Sequence, residues 1–350
     1  MTKLLTAAVV LIAAASLPGT WTSGPALPVA RSEVAVATIV TRSVDRMYVI
    51  GGYANGNVDQ SMVEVFTPIV TNRELTGAWR DVAPLPRGLN HIGAVGLEGK
   101  IYTFGGFAAQ NDSAVADANV YDPATNRWTP IASLPRALGS ISVAVLGNEI
   151  HLVGGRDAHS VATHLVYDAA TNRYSSRAPL PVGRDHMGLV AYDGRLYAIG
   201  GRIDTPAHNT GYVDIYDPRT NAWTSGASMP TPRSGMAVID YVGKIFAIGG
   251  EARAMSSAFT TNEAYDPATN RWAQYAPLPE GRHGTGAAVI DARICIPAGA
   301  PVPGGSRQSN TLLIYLLRMP LITRVVDSAP PTLDSTRLFA RAALRRAVSA

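Results

Sequence analysis

Residues Tyr121 to Trp128 read YDPATNRW, and Tyr265 to Trp272 repeat the same letters. Two variants, YDAATNRY from Tyr167 to Tyr174 and YDPRTNAW from Tyr216 to Trp223, keep an aromatic at each end. Asp-Pro and Thr-Asn are turn formers, so each copy predicts two strands joined by a tight turn. An earlier copy has Phe66 and Trp79 thirteen residues apart, which predicts a six-residue insertion in its turn.

Two further markers keep the same register. Short apolar runs end in glycine pairs, as in MYVIGG (Gly51, Gly52), IYTFGG (Gly105, Gly106), IHLVGG (Gly154, Gly155), LYAIGG (Gly200, Gly201) and IFAIGG (Gly249, Gly250). A sixth run, ICIPAG, keeps Gly299 but has Ala298 before it. The intervals are 54, 49, 46, 49 and 49 residues. The third marker is a Pro-containing segment after each terminal aromatic: ALPVAR, PLPRGLNH, SLPRALGS, PLPVGRDH, SMPTPRSG and PLPEGRHG. Its Pro precedes the next glycine-pair position by 19 residues in five copies and by 23 in the first.

Diglycine, then Tyr, then Trp at these offsets resembles the kelch repeat, over roughly residues 19 to 316. The resemblance implies four-stranded antiparallel blades around a central channel, and hence an all-β, six-bladed propeller. The last unit, TLLIYLL with Tyr315, has no aromatic seven residues later, whereas Trp21 precedes any glycine pair. The N-terminal strand around Trp21 is therefore expected to complete blade six and remove the open edges.

Composition agrees with many short strands: 33 Gly and 24 Pro in 350 residues, with 47% hydrophobic and 16% charged. The formal charge of +4 is carried by the segment from residue 318 onward, which holds six Arg and two Asp. The body thus has no basic field, and no nucleic-acid partner is expected. Residues 1–15, with Lys3, an apolar run from Leu4 to Ala15 and small residues at Ala13 and Ala15, read as a signal peptide. We therefore expect an exported, periplasmic or extracellular protein with no stable membrane insertion, a propeller over 16–317, and a basic tail over 318–350 that is disordered or a short helix. The single Cys295 excludes an internal disulfide and a multi-cysteine metal site, and reads as a buried thiol. The seven His show no metal-ligand spacing, so no metal and no cofactor are expected.

Three residues after each repeated Pro stand Arg31, Leu89, Leu138, Arg184, Arg233 and Arg282. Propeller symmetry brings such positions into a ring, together with Glu33, Asn90, His91, Asp185, His186 and His283. Loops between second and third strands add Tyr53, Asp112, Arg156, Asp157, His159, Arg202, His208, Glu251 and Arg253. An arginine ring at the channel mouth suits a ligand with acidic groups. In protein-binding kelch domains the corresponding arginines belong to the partner face, so the resemblance implies a non-catalytic module for a protein, peptide or glycan ligand. An Arg at this position also serves as a scaffold residue bonding backbone carbonyls. The kelch-type copper-radical oxidases need a Cys crosslinked to Tyr and two His, a pattern that Cys295 does not support. The chain is also similar to the six-bladed sialic acid mutarotases, although it lacks the long insertions associated with them. That alternative implies a positioned acid and base beside a carboxylate holder, for which Glu251 with Arg253, or Glu33 with Arg31, are the candidates.

Overall fold

The computed structural model describes residues 17–317 apart from 42–43, 73, 111–112, 254 and 306. The segments read as signal peptide and basic tail, and Asp112, lie outside the described residues. The rest forms six four-stranded antiparallel sheets, the blades of a propeller. Blade 1 comprises Ala35–Ile39, Arg46–Ile50, Val63–Thr71 and Glu74–Val82; blade 2 comprises Gly93–Leu97, Lys100–Phe104, Ala118–Asp122 and Arg127–Pro130. Blade 3 is Ser142–Leu146, Glu149–Val153, His164–Asp168 and Arg173–Ser176, and blade 4 is Gly188–Tyr192, Arg195–Ile199, Val213–Asp217 and Ala222–Ser225. Blade 5 is Ala237–Tyr241, Lys244–Ile248, Asn262–Asp266 and Arg271–Gln274. Blade 6 takes Ala288–Ile290, Arg293–Pro297 and Leu312–Leu316 from the C-terminal side and Thr20–Gly24 as its outer strand, with Trp21 opposite Tyr315. The predicted closure is therefore present.

Second strands are buried at four successive positions, as in Ile101–Phe104, because neighbouring blades cover both faces. Outer strands such as Arg173–Ser176 face solvent. The six extra residues of blade 1 lengthen both outer strands instead of forming a loop, and Phe66 pairs directly with Trp79.

Each sequence marker is a latch between blades. The outer-strand aromatic donates to a carbonyl of the preceding blade's exit: Trp128 Nε1 to Ala83 O at 2.8 Å, Trp223 to Ala178 at 2.8 Å, Trp272 to Ala227 at 2.8 Å. Tyr174 Oη reproduces the bond to Ala132 O at 2.8 Å, Trp79 bonds Pro25 O at 2.9 Å, and Trp21 bonds Ala276 O at 2.8 Å, closing the circle. In the YDPATNRW turn, Asn126 has φ 52°, and its Oδ1 accepts both Tyr121 Oη at 2.8 Å and the Ala83 N–H at 2.9 Å. Thus the Asn and Trp of one motif, with the Asn held by the Tyr, grip both backbone polar groups of a single neighbouring residue. The second glycine of each pair donates to the next blade's backbone, from Gly106 N to Leu138 O at 2.9 Å through to Gly299 N to Arg31 O at 2.8 Å. A Cβ on Gly105 would stand 2.0 Å from Leu138 O at φ 60°, so that position excludes any side chain.

The four arginines are placed differently from the expected channel-mouth ring. Arg31, Arg184 and Arg233 are fully buried and Arg282 nearly so, each held within its own blade. Arg184 pairs with Asp214 at 2.7 Å and Arg233 with Glu263 at 2.6 Å. Arg31 pairs with Glu64 and also donates to Gly51 O and Met62 O at 2.8 and 3.0 Å. The partner acid sits on the third strand, where blade 3, with Leu138 for Arg, has Leu165. Blade 6 is mismatched: Arg282 meets Leu313 at the acid position, reaches Glu280 and Thr311 at 3.0 Å each, and leaves Nε and Nη1 buried without a partner. In Arg31 and Arg233 the guanidinium fork satisfies blade carbonyls and a buried carboxylate together, and burial removes all four from the solvent a ligand would occupy.

Blade 3 departs from the others at His151 and His164, where blade 5 has Phe246 and Asn262. His151 Nδ1 lies 3.0 Å from His164 Nε2, and His164 Nδ1 donates to Ala178 O at 3.0 Å. Burial holds His151 down to about 3, reinforced by His164 and Arg177, and His164 down to about 4.

Two predictions follow from these placements. Arg184→Leu strands a buried Asp214 and costs about 3–5 kcal/mol in urea unfolding, whereas Arg282→Leu, facing Leu313, is close to neutral; the reverse order would contradict the blade-pin assignment. Because the folded state lowers both histidine pKa values, their contribution is complete above the unfolded value of about 6.5 and is lost as pH falls, by up to about 1.4 kcal/mol per pH unit per histidine. His151→Phe with His164→Asn should flatten unfolding midpoints compared at pH 7.5 and pH 5, and an unchanged pH slope would acquit the pair.

Candidate functional site

The residue two positions after each blade arginine site forms the true hub: Glu33, His91, Ser140, His186, Gly235 and Gly284. All six have φ between 50° and 63°. Backbone hydrogen bonds link four neighbouring pairs of them, with His91 N to Glu33 O at 3.1 Å, Ser140 N to His91 O at 2.9 Å, Gly235 N to His186 O at 2.9 Å and Gly284 N to Gly235 O at 3.0 Å. Left-handed backbone costs an ordinary side chain about 1–2 kcal/mol, and blades 5 and 6 avoid that cost with glycine. Glu33, His91 and His186 hold their side chains in the channel in spite of it, which makes them candidate site residues. Gly284 also makes room: a Cβ there would lie 2.6 Å from Glu33 Oε1.

Next to the hub stand the preceding residues, among them Asn90, Asp185 and His283, bridged to the residues that follow the glycine pairs, including Phe107, Arg202 and Ala300. Together they make one buried polar network. His91 Nε2 lies 3.0 Å from Glu33 Oε2, and its Nδ1 bonds Asn90 Oδ1. His186 Nδ1 lies 2.5 Å from Asp185 Oδ1, and its Nε2 accepts from Arg202 Nη2 at 3.0 Å. Arg202 also donates to Asp185 at 3.0 Å and to Glu251 Oε1 at 2.9 Å. His283 Nδ1 lies 3.4 Å from Glu33 and 3.6 Å from Glu251, while Nε2 donates to Val302 O at 2.7 Å.

Burial alone would raise the Glu33 carboxyl, but His91, His283 and His186 outweigh it and hold Glu33 well below the usual carboxylate range. Asp185 is likewise held low against its burial, by His186 and Arg202. Burial and then Arg202 push His186 down to about 4, so it is neutral near pH 7. The Tyr53 phenol is pushed up by burial, Asp59 and Glu33, and stays protonated.

Two cavities meet at this network. The channel below, of 190 Å³, is lined by hub residues and first strands. The mouth above, of 370 Å³, is lined by Glu33, Tyr53, His91, His186, Arg202, Pro206, Glu251, Ala252, Arg253, Pro303 and Gly304. Gly304 N donates to Glu251 Oε2 at 3.1 Å, fixing that carboxylate at the cavity wall.

Of the residues predicted for the site, the structure brings together Asn90, His91, His186, Arg202, Glu251, Arg253 and His283, and sets apart Arg31, Arg184, Arg233 and Arg282. Among the loop residues, Arg156 stacks over Phe107 at 5.7 Å, Asp157 pairs with Arg136, His159 lies 3.4 Å from Asp204 at the surface, and His208 is exposed. The pairing of Glu33 with Arg31 does not form, because Arg31 points into its blade. The expectation of no metal rested on local spacing; Glu33, His91 and His186 nevertheless come from three blades to place donor atoms within 4.8 Å of one another. Glu33, Asp185 and Tyr53 carry more of the site than the arginines did in the sequence reading, and a count of two from each arginine position would have found the hub.

A family described as N-acetylneuraminate epimerase matches residues 70–308, more than half of the chain. The Kelch-like protein terF of Aspergillus terreus (strain NIH 2624 / FGSC A1156) is 32% identical over 126 residues, which span 31% of this chain and about a quarter (24%) of that relative. The solved structure of YjhT superposes with a TM-score of 0.70 at 16% identity, covering 85% of this chain and 97% of that one, a likeness of fold. No helix among the described residues is long and apolar enough to cross a membrane.

Proposed function

The chain belongs to the N-acetylneuraminate epimerase family of kelch propellers, and from that premise we propose that it interconverts the anomers of a carboxylate-bearing sugar in the mouth cavity. The observation that carries this reading is the mouth itself. In one 370 Å³ space, within the ~300–1,000 Å³ usual for ligand sites, stand a fixed carboxylate, a protonated phenol and an exposed guanidinium. Arg253 makes no side-chain hydrogen bond or ion pair among the described residues, so its fork is available for a substrate carboxylate. Arg202, by contrast, spends its donors on Asp185, Glu251 and His186.

Anomer exchange needs one proton removed and one supplied. Glu251 takes the proton of the anomeric hydroxyl as the ring C–O bond breaks, and Tyr53 gives its proton to the departing ring oxygen. The chain opens to a ketone or aldehyde, the carbonyl turns over, and ring closure on its other face returns both protons. No redox partner is required. On the reading of residues 1–15 as a signal peptide, we place this chemistry outside the cytoplasm.

Anomer equilibration of N-acetylneuraminate, followed by NMR from a freshly dissolved single anomer, tests the proposal. Wild type should accelerate it, Glu251→Gln should lower the rate by about 10²–10⁴-fold, and Arg253→Ala should act mainly on KM. Saturable binding without acceleration would sink the catalytic reading and return the mouth to a non-catalytic glycan-binding role.

A further inference from the structure

We propose that Glu33, His91 and His186 form a site for a divalent transition-metal ion at the neck of the channel, with two imidazoles and one carboxylate as its protein ligands. Its ligands line the same mouth cavity as the proposed acid–base pair but include neither of its members, and the site needs no catalysis to be detected. An ion about 2.0–2.2 Å from each donor needs donor separations of roughly 3–3.5 Å. Glu33 Oε2 and His91 Nε2 already meet this at 3.0 Å, and modest side-chain rotation closes the remaining gap to His186.

The ring orientations are those a metal requires. A ligating imidazole normally gives its other N–H to a carbonyl or carboxylate, which fixes the tautomer and aims the free lone pair. His186 gives Nδ1 to Asp185, and His91 gives Nδ1 to Asn90. Asn90 is itself oriented, because its amide nitrogen donates to Asp59 Oδ1 at 2.7 Å and Phe107 O at 3.2 Å. Both Nε2 atoms are thereby left facing inward, one of them toward a carboxylate. Two electron-pair donors do not face each other at 3.0 Å unless a cation, proton or metal, lies between them.

Charge points the same way. Two buried carboxylates, Asp185 and Glu251, engage the Arg202 guanidinium, and among the described residues the buried Glu33 faces only the imidazoles of His91 and His283. A doubly charged ion offsets the excess. Imidazole and carboxylate donors without a thiolate suit zinc, iron, cobalt or nickel. The group displaced is Arg202 Nη2, 3.0 Å from His186 Nε2; its other nitrogens keep Asp185 and Glu251. With three protein ligands the ion retains open positions for water or ligand.

The test uses the untagged full chain, freed of metal and titrated with Zn²⁺ by calorimetry and with Co²⁺ by visible absorption. One equivalent should bind, with Co²⁺ bands of nitrogen ligation. Affinity should fall by at least 10–100-fold in Glu33→Gln and His186→Gln and by about 10-fold in Asn90→Ala. The surface variants His159→Ala and His208→Ala should bind as wild type does. Absence of stoichiometric binding, an oxygen-only Co²⁺ spectrum, or binding lost in the surface variants but kept in Glu33→Gln would overturn the site. Melting curves of each variant separate loss of ligand from loss of fold, and the wild-type spectrum decides the matter if a neck variant does not fold.

Discussion

The inter-blade hydrogen bond from the outer-strand aromatic to the exit carbonyl of the preceding blade governs this structure, because six of them must close on themselves. Trp21 to Ala276 is the bond that makes a line of repeats into a ring, and it joins opposite ends of the described chain. One such bond contributes only about 1 kcal/mol net. Its weight lies in geometry: with the glycine latch, which also joins every blade to the next, it holds each blade's angle to its neighbour at two radii. A repeat array left open would present unpaired strand edges at both ends. Here Leu312–Leu316 finds its partner in Thr20–Gly24, and no blade is left with an incomplete sheet.

That closure separates scaffold from site within a few residues of sequence. In RSE, LNH and RDH, the first position turns into the blade, the second bridges to the loop after the glycine pair, and the third enters the channel with left-handed backbone. Arginine suits the first position because a rigid five-donor fork can satisfy second-strand carbonyls and a third-strand acid together. Arg233 does so through Gly249 O, Ala247 O and Glu263. Blades 2 and 3 dispense with the pin by using Leu89 and Leu138, so the position is one of internal packing and not of ligand symmetry.

Repeat register, blade number and ring closure were legible in the sequence because each depends on spacing, and spacing survives in every copy. The direction of the arginines was not. A six-fold position identifies a ring but not the side of the strand from which its side chains leave, and the third-strand acids that decide it, Glu64, Asp214 and Glu263, carry no motif of their own. The neck cluster was hidden for a different reason. Glu33, His91 and His186 stand 58 and 95 residues apart. Their relation is visible only when positions two beyond the arginine sites are compared, where Ser140, Gly235 and Gly284 break the pattern that would have announced it.

The same placement constrains what the mouth can hold. The neck carries an excess of buried carboxylate, so the acid group of a ligand is repelled from the channel side unless a cation sits there. Arg202 cannot relieve the repulsion, since Asp185 and Glu251 already engage its charge at 3.0 and 2.9 Å. Arg253 is exposed at the rim; on the proposed reading, attraction to it on one side and repulsion from the neck on the other would decide which end of an acidic sugar points outward. A bound metal would invert that preference by offering a carboxylate an open coordination position at the neck. On the proposed reading, ligand orientation thus follows from the charge at Glu33, His91 and His186, which the ring, and nothing local, brings together.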